Sequence, residues 1–266
     1  MMEDILRRIE TWKEEETAER KKTVPLELLK EKPGYHRICI SLSEKLKVMG
    51  TPQFIAEFKR ESPSKGIIKK AADPVKICKS YQEAGAAGIS VLTDEKFFGA
   101  LPADFERARE VIGLPMLRKD FILEEYQVHE TKAMGADVML LIAALLSPEK
   151  VIQLASLARH LGMDVLLELH SEDETDRICK EVSIIGVNNR NLRNFEVRLD
   201  RTKEFALILP KDIPSIAESG LDDHESVARL FLAGFKGFLV GEYFMRSDDP
   251  GARCHEFITR TNEVLK

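Results

Sequence analysis

Glu57 and Lys59 stand two residues apart in the stretch Phe54-Ile-Ala-Glu-Phe-Lys-Arg-Glu-Ser-Pro-Ser64. At that spacing an acid and a base share one face of an extended strand, with Ile55, while Phe54, Ala56 and Phe58 share the other. Two charges on an otherwise buried apolar strand are costly unless they pair or do chemistry. On this stretch alone a structural ion pair and a functional site remain equally open. Arg60, Ser62 and Ser64 follow, with Pro63 holding the turn. Similar groups recur downstream: Lys119, Glu168, Asn188 with Arg190, Glu218 with Ser219-Gly220, and Gly241-Glu242. Side chains of these types transfer protons or bind anions. Small residues beside them let backbone N–H groups approach a ligand.

Each of these residues closes an apolar segment that reads as a strand. The segments are Phe54–Lys59, Gly88–Thr93, Pro115–Phe121, Asp137–Ala143, Asp164–His170, Ile184–Asn189, Pro214–Ser219 and Gly237–Gly241. Their nearly continuous apolar character is that of parallel strands buried on both faces. Helical patterns lie between them: Asp73–Ala84, Asp104–Val111, Leu123–Met134, Pro148–Leu161, Glu172–Lys180, Arg201–Leu209 and Asp222–Ala233. Pro74 and Pro148 suit a first helical turn. Gly85, Gly135, Gly162 and Gly234 stand where a helix ends in a left-handed residue before the next strand.

Eight such units predict an α/β fold, a (β/α)8 TIM barrel over residues 53–266. A doubly wound sheet is the runner-up, but no G-x-G-x-x-G follows the first strand. In a barrel the strands' C-terminal ends form the active site. A ring of two lysines, an arginine and three glutamates at one mouth then points to a polar substrate. The loops after strands seven and eight, with Ser219-Gly220 and Gly241-Glu242, are the expected phosphate site. Residues 1–52 read differently. Ile5, Leu6, Ile9 and Trp12 form a helical stripe followed by the polar run Lys13–Lys22, and Ser43–Met49 reads as one more helix. This predicts an N-terminal helical extension packed on the barrel; a free-standing partner helix is the alternative.

Composition bounds the function classes. Forty Lys and Arg against 45 Asp and Glu give a net charge of −5, which argues against a nucleic-acid surface. Cys39, Cys78, Cys179 and Cys254 lie far apart without a C-x-x-C, and the six histidines form no H-E-x-x-H, so disulfides and structural zinc are not expected. The chain is charged from Glu3, without an apolar signal core, and has no apolar run of about 18 residues. The expectation is a cytoplasmic protein with no membrane span.

Ile55-Ala-Glu-Phe-Lys-Arg-Glu-Ser-Pro-Ser-Lys-Gly66, Ser90-Val-Leu-Thr93, Leu117-Arg-Lys-Asp-Phe-Ile122, Gly186-Val-Asn-Asn-Arg-Asn-Leu192, Ala217-Glu-Ser-Gly220 and Leu239-Val-Gly-Glu242 together resemble the indole-3-glycerol-phosphate synthase family. Arg20-Lys-Lys and Pro25-Leu26 are similar to its N-terminal region. The E-x-K-x-x-S-P-S segment is the specific part; A-E-S-G is shared with other phosphate-binding barrels. The resemblance implies ring closure of 1-(2-carboxyphenylamino)-1-deoxyribulose 5-phosphate in tryptophan biosynthesis, with loss of carbon dioxide and water. It implies no metal and no organic cofactor. The substrate is a small phosphorylated molecule, and other tryptophan-pathway enzymes are candidate partners.

Carried over residue by residue, the resemblance makes Lys119 the general acid of closure and Glu168 its partner in dehydration. Lys59 binds the substrate carboxylate or assists proton transfer, and Glu57 orients it. Asn188 and Arg190 orient the substrate, Glu218 joins the catalytic set, and Ser62 is a carboxylate or hydroxyl contact. Phe98 and Phe121 are walls for the aromatic ring. Ser219, Gly220, Gly241 and the Glu242 backbone hold the phosphate. Partial burial is expected to lower the Lys119 pKa towards neutral, and His170 reads as a structural rim residue. Two positions depart from the family pattern: Glu61, where a small or basic residue is usual, and Tyr243-Phe244, where Ser and Leu are usual. They add charge and bulk near the anion site. A different phosphate-binding barrel enzyme, such as the isomerase one step earlier, and a non-catalytic binding barrel are the alternative readings.

Overall fold

The structure is a computed structural model and describes residues 5–48, 50–190 and 196–266. Eight strands, β1 Gln53–Phe58, β2 Gly88–Leu92, β3 Met116–Lys119, β4 Val138–Ile142, β5 Asp164–Leu169, β6 Ile184–Asn188, β7 Ser215–Glu218 and β8 Gly237–Val240, pair in chain order into a closed parallel barrel. β8 returns to β1, with Phe54 opposite Phe238. All eight strands read from the sequence are present, each within two residues of its expected ends. The alternation also holds. Ile55, Leu117, Val138, Leu140, Leu166, Ile184, Ile216 and Leu239 fill the barrel interior. Phe54, Ala56, Phe58, Val91, Val165 and Leu167 face the surrounding helices.

Before the barrel lie α1 Ile5–Thr23, α2 Leu26–Glu31 and α3 Leu42–Leu46. Around and after it lie α4 Pro74–Glu83, α5 Glu95–Phe98, α6 Asp104–Arg109, α7 Glu125–Ala133, α8 Pro148–His160, α9 Leu199–Ile208, α10 His224–Leu232, α11 Glu242–Met245 and α12 Pro250–Val264. Asp73 and Ser147 cap α4 and α8, each followed by its proline. The glycines at 85, 135, 162 and 234 all have positive φ, as a helix stop requires.

One expected helix is different. Glu172–Lys180 holds only a 3₁₀ turn, Glu172–Arg177. Its residues Glu-Asp-Glu-Thr-Asp form no apolar stripe, and Glu174 turns back to accept the His170 N–H at 2.6 Å. The helix read as Ser43–Met49 is the shorter α3, and Met49 lies outside the described residues. Glu3 lies outside them too, as do Asn191 and Leu192 of the Gly186–Leu192 segment. A small antiparallel hairpin, Glu61–Ser62 with Gly66–Ile67, stands where only a turn at Pro63 was expected.

The N-terminal segment touches both ends of the barrel. Leu42 and Leu46 of α3 close the interior from below, beside Gly88 and Gly237, the first residues of β2 and β8. Buried acids at the starts of β4 and β5 hold this segment down. Asp137 accepts the Ile40 N–H at 2.7 Å and pairs with Arg37 and Arg109. Asp164 accepts the Ser41 hydroxyl and the Ser43 N–H at 2.9 and 2.8 Å. α1 crosses the opposite mouth, where Ile5, Leu6 and Ile9 line the same cavity as Lys119 and Glu168. Its Lys13, expected within a polar solvated run, is only 1% exposed and pairs with Asp94 and Asp120.

Deleting residues through Thr23 therefore removes part of the cavity wall and takes Lys13 away from the buried Asp94 and Asp120. Breaking a buried ion pair in this way costs on the order of 3–5 kcal/mol. Thermal unfolding is expected at a clearly lower temperature, together with weaker substrate affinity. Unchanged stability and Michaelis constant in the truncated chain would make α1 an accessory tail.

Candidate active site

A cavity of about 740 Å³ opens at the C-terminal ends of the strands. Its floor is the apolar interior layer, and its polar groups stand on strand register. Lys119 pairs across with Leu92, Glu168 with Ile142, and Asn188 with Glu218. Side chains facing inward at successive strand ends must therefore meet.

They meet around Lys119. Its ammonium donates to Glu168 Oε2 and, at 2.8 Å, to Glu218 Oε2. Glu168 Oε1 accepts from Asn188 Nδ2 at 2.9 Å, and His170 Nε2 lies 3.1 Å from the same oxygen. At the end of β1 Lys59 donates to Glu57 Oε1 at 2.7 Å. The Glu57–Lys59 pair is thus a real ion pair, and it also lines the cavity.

Burial works against charge on Lys119, but Glu168 and Glu218 outweigh it and hold its pKa well above the ordinary lysine value. The expected shift towards neutral is reversed, because the two carboxylates are in direct contact. Burial likewise disfavours the Glu168 anion, yet Lys119 and His170 hold it ionised, far below the usual carboxylate range. Glu218 shares the same lysine without those further donors. Burial, together with the nearby negative charge of Glu168, pushes it up to about 8. One of the two carboxyls therefore carries a proton at neutral pH, and it is Glu218. Gly186 makes room for it: a Cβ there would fall 2.3 Å from Glu218 Oε1.

Phe98, on α5, and Phe121, just after β3, stand 6.0 Å apart between ring centres and form one wall of the cavity. Ser62 is buried at the hairpin, 3.5 Å from the Ser64 hydroxyl. On the opposite side, Ser219 and Gly220 both have φ of 68°. α11 starts directly after Gly241, so its first amides have no partner within the helix. Gly241 also lies against Glu57; a Cβ at 241 would come within 2.5 Å of Glu57 Oε1. β6 ends at Asn188, so Arg190 is not on the strand but in an isolated bridge with Val197. Its guanidinium lies 3.4 Å from Glu242, which also faces Arg246 at 3.1 Å and Lys65 at 3.9 Å. Three cations around one carboxylate leave this end of the cavity net positive.

Sequence reasoning did not single out Lys65, Arg246, Asn189 or Gly186. Lys65, Gly186 and Asn189 lie inside the quoted segments, so their signal was present. Arg246 had none. Asn189 is buried and donates to the carbonyls of Glu218 and Ser219 at 2.9 and 3.1 Å, bracing the left-handed turn. The two departures also find a setting. Glu61 folds over Gly99. Tyr243 lines the cavity with its ring 5.2 Å from Phe257 and its hydroxyl 3.3 Å from Arg253. Phe244, by contrast, is fully buried in the outer core, away from the anion site.

A family profile described as indole-3-glycerol phosphate synthase matches residues 6–257. The chain belongs to this family. Its relatives include the indole-3-glycerol phosphate synthase of Bacteroides thetaiotaomicron, 45% identical over 258 residues and covering 97% of this chain and 98% of that one. That of Salinibacter ruber is 45% identical over 236 residues, covering 88% and 87%. As a family member, the protein is an enzyme of the decarboxylating lyase type, belonging to tryptophan biosynthesis. Among solved structures, tryptophan synthase subunit alpha from Legionella pneumophila overlays with a TM-score of 0.60 at 14% identity, covering 84% of this chain and 96% of that one. Thiamine phosphate pyrophosphorylase from Pyrococcus furiosus gives 0.60 at 16%, covering 85% and 99%. At such identities the likeness concerns the barrel fold alone.

Two outcomes follow for an indole-3-glycerol phosphate synthase built this way. Replacing Gly241 with valine should displace Glu57 as well as crowd the anion site. Substrate affinity and turnover should then both fall, and unchanged inhibition by phosphate ligands together with normal turnover would contradict this. The second outcome is a pH dependence. Glu218 holds a proton in the folded state between about pH 5 and 8, whereas an unfolded glutamate, near pKa 4.5, does not. The folded state binds more protons there, so this group's stabilising contribution declines as pH rises through that window. Glu218→Gln should flatten that part of the stability–pH curve, measured by denaturant titration.

Proposed function

We propose that the cavity closes the indole ring of 1-(2-carboxyphenylamino)-1-deoxyribulose 5-phosphate, releasing carbon dioxide and then water to give indole-3-glycerol phosphate. The observation that carries this reading is one buried ammonium, Lys119, between two carboxylates of unequal proton affinity, Glu168 and Glu218. Amides of Ser219, Gly220, Gly241 and Glu242 would hold the phosphate, helped by Lys65, Arg190 and Arg246. The aromatic ring would lie along Phe98 and Phe121, with its carboxylate towards Lys59 and Ser62. That pose brings the ketone to Lys119.

As the ring carbon attacks, negative charge grows on the ketone oxygen. An alkoxide is a far stronger base than an amine, so a lysine whose pKa is raised still protonates it. Glu218, protonated and in contact with Lys119, is the nearest store from which that proton returns. Loss of carbon dioxide then restores aromaticity. Glu168, held ionised by Asn188, His170 and Lys119, is suited to take a ring proton while Lys119, recharged from Glu218, protonates the hydroxyl so that it departs as water. Glu57 fixes Lys59, which lies on the carboxylate side. We further propose that the enzyme works in the cytoplasm; its four cysteines are all free thiols. Among the described residues no helix is long and apolar enough to cross a membrane.

Lys119→Ala should bind substrate nearly normally while turnover falls by about 10²–10⁴-fold, as for a lost general acid. Glu168→Gln should make dehydration limiting, so that a decarboxylated, still hydroxylated intermediate accumulates in single-turnover experiments. Near-normal turnover in Lys119→Ala alongside complete loss in Lys59→Ala would move the acid role to Lys59.

A further inference from the structure

Behind the mouth, six charged side chains close into a ring that the chemistry above does not use. Lys13 pairs with Asp120 at 2.8 Å, Asp120 with Arg118 at 2.9 Å, and Arg118 with Glu130 at 2.7 Å. Glu130 pairs with Arg20 at 3.1 Å, Arg20 with Glu16 at 3.1 Å, and Glu16 with Lys13 at 2.8 Å. The signs alternate throughout, and the ring joins α1 to the end of β3 and to α7. Lys13 has one partner more: Asp94, at 2.8 Å, at the end of β2. Three carboxylates thus lie 2.8 Å from its ammonium, and it does not itself line the cavity.

The segment Arg118-Lys119-Asp120-Phe121 explains why this matters for the reaction. Strand alternation sends Arg118 outward to the ring and Lys119 inward to the site; just past the strand end Asp120 joins the ring while also touching the cavity wall, and Phe121 faces the cavity. Asp120 has no freedom left. Oδ1 accepts from Lys13 and from the Phe121 N–H at 2.8 Å; Oδ2 accepts from the Thr93 hydroxyl at 2.6 Å and from Arg118. Asp94 caps α5 through the Phe97 N–H at 2.6 Å, and α5 carries Phe98.

We propose that Lys13 is a positioning residue for ring closure, holding Asp120 and Asp94 together and thereby fixing both the Lys119 ammonium and the Phe98–Phe121 wall. Without it the two buried carboxylates face each other with no shared cation. Their repulsion opens the gap between the ends of β2 and β3, where the Thr93 N–H reaches the Lys119 carbonyl at 3.2 Å. Burial raises the Asp120 pKa and Lys13 with Arg118 holds it low; without Lys13, Arg118 and the Thr93 hydroxyl still favour its charged form, so the repulsion is felt. The proposal rests on Lys119 being the acid.

The test uses the full chain with Lys13→Met, Lys13→Arg, Asp94→Asn, Asp120→Asn and Lys119→Ala, each assayed well below its melting temperature. Lys13→Met should lose about 10–10²-fold in kcat, the scale of a small misplacement of a reacting group, and its KM should rise. Inhibition by inorganic phosphate should stay within about two-fold, because that site lies across the mouth. Lys13→Arg should recover most of the kcat. Asp94→Asn should act mainly on KM, through Phe98, and Asp120→Asn mainly on kcat. A Lys13→Met enzyme with wild-type kcat and KM and only a lower melting temperature would make Lys13 a structural staple and overturn the proposal. Should that variant not fold, unchanged kcat and KM in both aspartate variants would overturn it equally. Normal turnover in Lys119→Ala would instead sink the acid assignment, whatever Lys13 does.

Discussion

Two lysines and three glutamates share one barrel mouth from which bulk water is largely removed, and that imbalance governs the site. With every group charged, a net negative charge would sit over an apolar floor. The structure resolves it by unequal solvation inside the protein. Glu168 collects Lys119, Asn188 and His170 and keeps its charge, while Glu218 has only the shared lysine and keeps a proton instead. Two carboxyls in contact with one ammonium thus acquire opposite proton-transfer characters, the arrangement expected where acid and base must work in turn.

This electrostatic order depends on backbone detail. Lys119, Glu168 and Glu218 meet because parallel register brings inward-facing strand ends to one level. Glu218 fits because position 186 has no side chain, and Glu57 fits because position 241 has none. The anion end is arranged separately. Asn189 ties two consecutive carbonyls of the β7 turn, and Glu242 gathers Lys65, Arg190 and Arg246. Glu242, read as contributing its backbone, also gathers the cations at that end of the cavity.

The barrel was legible because its signals are local and repeated: apolar runs, capping prolines and glycines at helix stops recur with every unit. The strand-end residues were legible for the same reason, since alternation within one strand decides which side faces in. What stayed hidden was long-range pairing. Nothing near Lys13 distinguishes it from Lys21 or Lys22, which are solvated; its burial is decided by Asp94 and Asp120, some 80 and 110 residues away. The Lys119 pKa was misjudged for a related reason. Burial was foreseeable from the strand, but its two carboxylate partners come from β5 and β7, and contact with them reverses the sign of the shift. The Glu172–Lys180 segment failed differently, by having charge where a helix needs an apolar stripe.

The same four residues, Arg118 to Phe121, belong to both an ionic ring and a reaction chamber, and a strand has only two faces. Any force on the outer pair is delivered to the inner pair across a single peptide unit. A buried charge network is weak evidence for net stability, because desolvation offsets most of its Coulombic gain. Its geometric effect is less ambiguous: both oxygens of Asp120 have partners, and three carboxylates surround the Lys13 ammonium. That directional constraint is what the role proposed for Lys119 requires, and an apolar contact of equal area would not supply it. The N-terminal helix therefore contributes on two levels, with Ile5, Leu6 and Ile9 lining the chamber and Lys13 pairing with Asp120 beside the strand that bears Lys119.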